Sequence, residues 1–176
     1  MPLWPKPGGH RPPLQMMEQN PKPLEPEKPR LRRLDLIIPR NPIFFITACT
    51  FGRKQILRQE AIHGTFVDFA QKAGERGHWI GAYVLMPDHL HLFAVPPDSR
   101  VDVLSRWVKS LKNTISKKWR EMGIPAPHWQ KGFFDHVLRS DESLARKWLY
   151  VRENPVRAGL VKRWEDDPYQ GQIHPL

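Results

Sequence analysis

Residues Tyr83–Val95 constrain this chain more than any other stretch. A strand sends successive side chains to opposite faces, so His89 and His91 point one way while Leu90 and Leu92 point the other. The flanks Ala82–Met86 and Phe93–Val95 are aromatic, β-branched or aliphatic, which supports a strand on both sides. Pro87 fits a kink or bulge between two strand segments, or the tight turn of a hairpin. Two imidazoles two residues apart on rigid backbone can grip one metal ion. An ordinary exposed pair has the same spacing, so the pattern acquires meaning only with support elsewhere.

The folded part begins at Asn41-Pro42. Ile43–Phe51 is β-rich and reads as a central strand. Within Arg58–Ala73, Ile62, Phe66, Phe69 and Ala73 recur at helical spacing, and Gly74 and Gly77 end that helix. His78–Met86 begins the next strand. A second helix is predicted over Asp98–Gly123, with Asp102 as a cap near its start. Its stripe is Leu104, Val108, Leu111, Ile115, Trp119 and Met122, and Arg106, Lys109, Lys112, Lys117 and Arg120 lie off the stripe. Those cations form either a solvated face or a track for a DNA backbone. After the connector Gly123–Pro127, His128–Arg139 reads as a loop entering a strand. Ser140 or Asp141 can cap a third helix running to about Asn154, where Asn154-Pro155 ends or kinks it. Pro155 then starts a short helix that Gly159 closes.

The succession strand, helix, strand, strand, helix, strand, helix predicts an α+β fold. Its form is a ferredoxin-like antiparallel sheet with helices covering one face. Residues 41–165 make that domain and residues 166–176 an irregular tail. Residues 1–40 differ in kind: ten of them are proline, mixed with Lys6, Arg11, Lys22, Lys28 and the cluster Arg30–Arg33. Such a segment buries too little apolar surface to order itself, and reads as a disordered or polyproline-like arm. The cluster is either a phosphate contact or part of a solvated linker.

A formal net charge of +10 over 176 residues favours a polyanionic partner, most often nucleic acid. The single cysteine, Cys49, rules out an intrachain disulfide and a cysteine-based zinc site. No apolar run approaches the roughly 18 residues of a membrane helix, and no signal-peptide core precedes the domain. A cytoplasmic protein is expected, associated with the nucleoid when on DNA.

On the third helix, Leu144, Trp148 and Val151 define the core side. Tyr150 lies roughly 120° from its centre, grouped with Ser143, Arg146, Lys147 and Asn154. A tyrosine there does not fill the core, and Asn154 four residues on shares its face. An amide oxygen is a hard ligand suited to Mg²⁺ or Mn²⁺. Two histidines and that oxygen would make a three-point site with open positions for a phosphate.

Three segments occur in order: Met86–Leu92, Trp129–His136, and Tyr150-Val151-Arg152-Glu153-Asn154-Pro155-Val156-Arg157-Ala158-Gly159-Leu160-Val161. Together they resemble the signatures of the single-tyrosine (Y1) HUH transposases, in the REP-associated tyrosine transposase branch. The resemblance spans about Leu34 to Trp164. Asp88 stands where the family often has Asn, which adds a carboxylate beside the histidines, and the Pro-rich arm is outside the family core.

The resemblance implies an HUH nuclease-type fold and a single-strand DNA endonuclease and strand transferase. His89, His91 and Asn154 would hold Mg²⁺ or Mn²⁺, and Tyr150 would be the nucleophile forming a 5′-phosphotyrosine link. The implied substrate is a hairpin from a repetitive extragenic palindrome with a single-stranded foot, bound by a monomer or homodimer. Bases stack on aromatics and phosphates sit on cations in such complexes. Candidates for DNA contact are Lys109, Lys112, Trp129, Phe133, Arg139, Arg146, Lys147 and Arg157. Trp129 and Phe133 are equally candidates for core, and His136 reads as a hydrogen-bonded structural histidine. Arg146 and Lys147 are placed to favour the phenolate of Tyr150. The rival readings are a hairpin-binding module without chemistry and a zinc hydrolase, against which the lack of a third His or Cys at ligand spacing argues.

Overall fold

The computed structural model describes residues 42–98, 100–138 and 141–176. The arm over 1–40, the capping role given to Ser140 or Asp141, and Arg139 lie outside what is described.

In chain order the elements are β1 (Ile43–Cys49), α1 (Glu60–Gly74), β2 (Trp79–Leu85), β3 (His89–Val95), α2 (Val101–Glu121), β4 (Phe134–Leu138), α3 (Asp141–Arg152), α4 (Asn154–Arg157) and β5 (Gln170–Gln172). The strands form one antiparallel sheet in the order β4-β1-β3-β2-β5. The βαββαβ succession with these neighbours is the ferredoxin-like arrangement read from the sequence. It puts β3 between β1 and β2, with both its edges paired. Pro87 and Asp88 form the hairpin turn joining β2 to β3, closed by the Met86 N–H donating to the His89 carbonyl at 2.8 Å.

Strand alternation builds two apolar layers. On one face Phe44, Ile46, Ala48, Leu90, Leu92 and Ala94 meet α1 through Ile62, Phe66 and Ala70. The same layer meets α2 through Leu104, Val108, Leu111, Ile115 and Trp119. A register shift in β2 between Ile80 and Tyr83 lets both residues enter this layer. The α2 stripe is the predicted one except at its end. Met122 is exposed because the helix has already stopped at Glu121. On the other face Phe45, Val84, Met86, Phe93 and Leu138 surround Val151 of α3, with Leu144 and Trp148 packed against them. Helices therefore cover parts of both faces, not one as expected. Phe45 and Phe93 alternate with the main-core residues and need their own apolar cover.

Two helix starts also differ from the reading. Helix α1 begins at Glu60 because the Arg58 guanidinium turns inward. It grips both Asp167 carboxylate oxygens at 3.0 and 2.8 Å and donates to the Leu85 carbonyl at 3.2 Å. Helix α2 begins at Val101, and Asp98, not Asp102, supplies the local acceptor, taking the Arg100 N–H at 2.9 Å. Asp102 pairs instead with Arg106 one turn on. The stretch read as an irregular tail contains β5, which pairs Val84↔Gln170, Tyr83↔Gly171 and Ala82↔Gln172. Backbone groups on the open edge of β2 find partners this way, with Asp167 fixing the approach. No helix among the described residues is long and apolar enough to cross a membrane.

Candidate active site

The histidine pair stands on the α3 face of the sheet. His91 is in register with Thr47 of β1 and Val84 of β2, and His89 with Cys49 of β1. The rings lie 4.7 Å apart between centroids, nearly perpendicular. Each ring has one nitrogen committed to a neighbour. His89 Nδ1 is 2.6 Å from Asp88 Oδ1, and His91 Nδ1 is 2.8 Å from Thr47 Oγ1. Nε2 is left on each ring as the remaining donor atom, and a partner on the far nitrogen is the usual means of orienting a ligating histidine.

The extra carboxylate is fully engaged. Asp88 Oδ1 faces His89, and Asp88 Oδ2 is 2.8 Å from Arg53 Nε. Arg53 reaches it from a short turn in which Gly52 has φ 59° and Arg53 itself φ 56°. A left-handed arginine is uncommon and costs of order 1 kcal/mol or more, so the turn is held by its surroundings. Arg53 also donates to Cys49 Sγ at 3.0 Å. His91 is pushed down to about 3, first by burial and then by the positive fields of His89, Lys147 and Arg53. Its ring is therefore neutral through the physiological range, the form that can donate a lone pair to a cation.

Helix α3 approaches the same face. Val151 is buried against Phe45, Phe93 and Leu138, and the Trp148 ring meets Phe93 edge-on at 6.3 Å. Lys147, at the margin of this contact, lays its ammonium over the Phe45 ring at 4.8 Å, and Phe45 stacks on His91 at 5.3 Å. Tyr150, three residues on, shares the Lys147 margin of the helix. Its side chain is 62% exposed. The chain leaves helical register at Glu153, and Asn154 opens α4, with Pro155 in its first turn and Gly159 at φ 67° closing it. This fold-back brings Arg157 over the Tyr150 ring at 4.2 Å. Arg157 donates to the Tyr150 carbonyl at 2.7 Å and to Asn154 Oδ1. Tyr150, Asn154 and Arg157 are thus one cluster, with the amide oxygen turned towards the guanidinium.

The other residues singled out in the sequence divide clearly. Lys112 is half-buried and donates to the Gln130 and Gly132 carbonyls at 2.7 and 2.8 Å, so it holds the loop before β4. Burial lowers its ammonium below the usual lysine value. Lys109 is exposed on α2, whose stripe covers the opposite face. Trp129 donates its indole N–H to the Lys112 carbonyl at 3.0 Å and lies 5.0 Å from Trp119, and Phe133 joins the main core. Of the two alternatives held for Trp129 and Phe133, core is the one observed. His136, read as structural and hydrogen-bonded, is instead exposed on β4, opposite Phe45. Arg146 is exposed on α3. Lys147 lays its ammonium over Phe45, and Arg157 lies over the Tyr150 ring.

Thr47, Arg53 and Phe134 complete the surroundings and were not singled out in the sequence. A threonine or arginine in an ordinary strand or turn carries no signal of its partner. The doublet Phe133-Phe134 did carry one, since adjacent strand residues cannot both face the same core. No group of three or more His, Cys, Asp or Glu side chains placed for a metal occurs among the described residues. Two imidazole nitrogens with oxygen donors beside them would suit a hard to borderline divalent ion. A groove of about 680 Å³ between α1 and α2, lined by Phe69, Lys72 and Trp107, lies on the opposite face and holds none of these groups.

No family model matches the chain. It is 33% identical over 101 residues to a Haemophilus influenzae protein carried under the provisional name REP-associated tyrosine transposase, covering 50% of this chain and 55% of that protein. It is 30% identical over 95 residues to the REP-associated tyrosine transposase of Escherichia coli K12, covering 54% of each. The chain thus spans about half the length of the curated relatives it matches. A solved REP-associated tyrosine transposase bound to a REP hairpin superposes with a TM-score of 0.54 at 24% identity, over 73% of this chain and 75% of that one. The sequence likenesses agree with the resemblance drawn from the three motifs, and the structural one with the fold.

Proposed function

We propose that this chain is a metal-dependent single-strand DNA nicking and joining enzyme that acts on hairpin DNA through Tyr150. One observation carries the reading. Two histidines with Nδ1 committed and Nε2 left over share a sheet face with the helix that bears an exposed tyrosine. Lys147 of that helix lies against the Phe45–His91 stack, which ties α3 to the histidine ledge.

His89 and His91 would hold Mg²⁺ or Mn²⁺, with Asn154 as third donor once its oxygen leaves Arg157. The cation would supply polarisation of the scissile phosphate. The remaining work falls to side chains. The Tyr150 oxygen attacks phosphorus, an O–P bond forms, and the bond to the 3′ oxygen breaks. The phenol proton passes to solvent, and the departing 3′ oxygen takes up a proton to become a 3′-OH. One phosphate ester replaces another, so a 3′-OH can reverse the reaction and join strands without an external energy source. Arg157 over the ring offsets negative charge developing on the phenol oxygen. Lys147 offers a cation to the phosphate path. The REP hairpin bound by the solved relative and the +10 charge of this chain support structured DNA as the substrate class.

The test is a labelled hairpin oligonucleotide with a single-stranded foot, incubated with Mg²⁺ or Mn²⁺. The expected result is a covalent protein–DNA adduct that is lost in Tyr150→Phe while DNA retardation persists. Retardation without adduct in the wild-type protein would leave a binding module instead.

A further inference from the structure

We propose that Phe134 is the platform on which a base next to the reacting phosphate stacks. This rests on the nuclease reading above and gives a role to a residue of the Trp129–His136 segment that the sequence reading did not single out. A single exposed phenylalanine is ordinary on a protein surface; the row in which this one stands is what gives it meaning.

Phe134 opens β4 and is 59% exposed, while its neighbour Phe133 joins the main core. Its register partner is Thr47, whose own partner on the other side is His91. Phe134, Thr47 and His91 therefore form one row across three strands on one face. With strands roughly 4.8 Å apart, the aromatic ring sits about 10 Å from the imidazole, close enough for a nucleotide flanking a phosphate held at the ledge. The apolar contacts of α3 fall on the neighbouring rows, at Phe45, Phe93 and Leu138, and leave Phe134 uncovered. Exposed Lys131 precedes it in the turn, His136 follows it on the same face, and Lys147 stands over Phe45. An open aromatic face with the ammonium groups of Lys131 and Lys147 on the same side of the molecule's β4–α3 region is what an unpaired base and its backbone require.

The experiment uses the full chain and a hairpin with a single-stranded foot in which each foot nucleotide in turn is replaced by an abasic sugar. Phe134→Ala should weaken binding roughly 5- to 150-fold with an unchanged melting temperature, and Phe134→Trp should retain affinity. In wild-type protein one abasic position should reproduce that loss, and it should cost nothing further in Phe134→Ala. Equal losses at every abasic position in both proteins would overturn the platform. So would a Phe134→Ala protein whose only change is loss of self-association through the β4 edge. Failure to form the Tyr150 adduct would sink the parent reading and leave the abasic coupling to report on Phe134 alone.

Discussion

Replacing Thr47 by Val tests whether the histidine ledge is built to hold a cation. Thr47 Oγ1 lies 2.8 Å from His91 Nδ1, and the two residues are register partners on adjacent strands. Valine keeps the shape and the strand preference, so no cavity contributes. What goes is one neutral hydrogen bond, a net contribution of about 0.5–1.5 kcal/mol, which in a domain of this size lowers the melting temperature by about 2–6 °C. The larger effect is on orientation. Without Oγ1, His91 is free to present either nitrogen, and loss of an orienting partner typically weakens cation binding about 10- to 100-fold. Adduct formation is followed as a function of Mn²⁺ concentration, with a melting curve beside it. The midpoint in Mn²⁺ should rise by that factor while saturating Mn²⁺ restores most of the yield. A midpoint that coincides with wild type in a protein that melts earlier would show a purely structural bond, and His91 would no longer be a cation ligand.

Asp167→Ala should cost about 3–5 kcal/mol in urea unfolding, because it leaves Arg58 without its carboxylate beside the Leu85 carbonyl; a loss below about 1 kcal/mol would mean that the pair does not hold the β5 segment. His63, bonded to the Tyr83 hydroxyl at 2.8 Å, is held below the ordinary imidazole value by burial, with Asp167 acting the other way. The unfolded chain therefore takes up this proton first, so its contribution to stability is present above about pH 6.5 and fades as the pH falls. His63→Gln keeps a partner for Tyr83 and should flatten the acid side of the stability–pH curve; parallel curves would refute the assignment.

The parts of the fold visible in the sequence were those carried by local periodicity. The alternation at His89–Leu92 marked β3, and Leu104–Trp119 marked α2, because a residue two or four positions away decides the face. What escaped was set by residues far apart in the chain. Gln170–Gln172 has no apolar pattern, and becomes a strand only because β2 offers it an edge. Arg58 stays out of the first turn of α1 for a partner at Asp167, so that helix starts later than its stripe suggests, and Phe45 and Phe93 called for a helix on the second face. For the proposed site, the motif pointed to His89, His91, Tyr150 and Asn154. Composition could not show that Lys112 is turned inward onto two carbonyls, or that Arg157 folds back over Tyr150.

Strand β3 divides labour residue by residue. Leu90, Leu92 and Ala94 are buried in the main core, and His89 and His91, one atom row away, are not part of it. A substitution at an even position there is felt as folding, and one at an odd position near the turn falls on the proposed site. Selection can therefore retune the imidazoles and their neighbours Asp88 and Thr47 while the scaffold's packing stays intact.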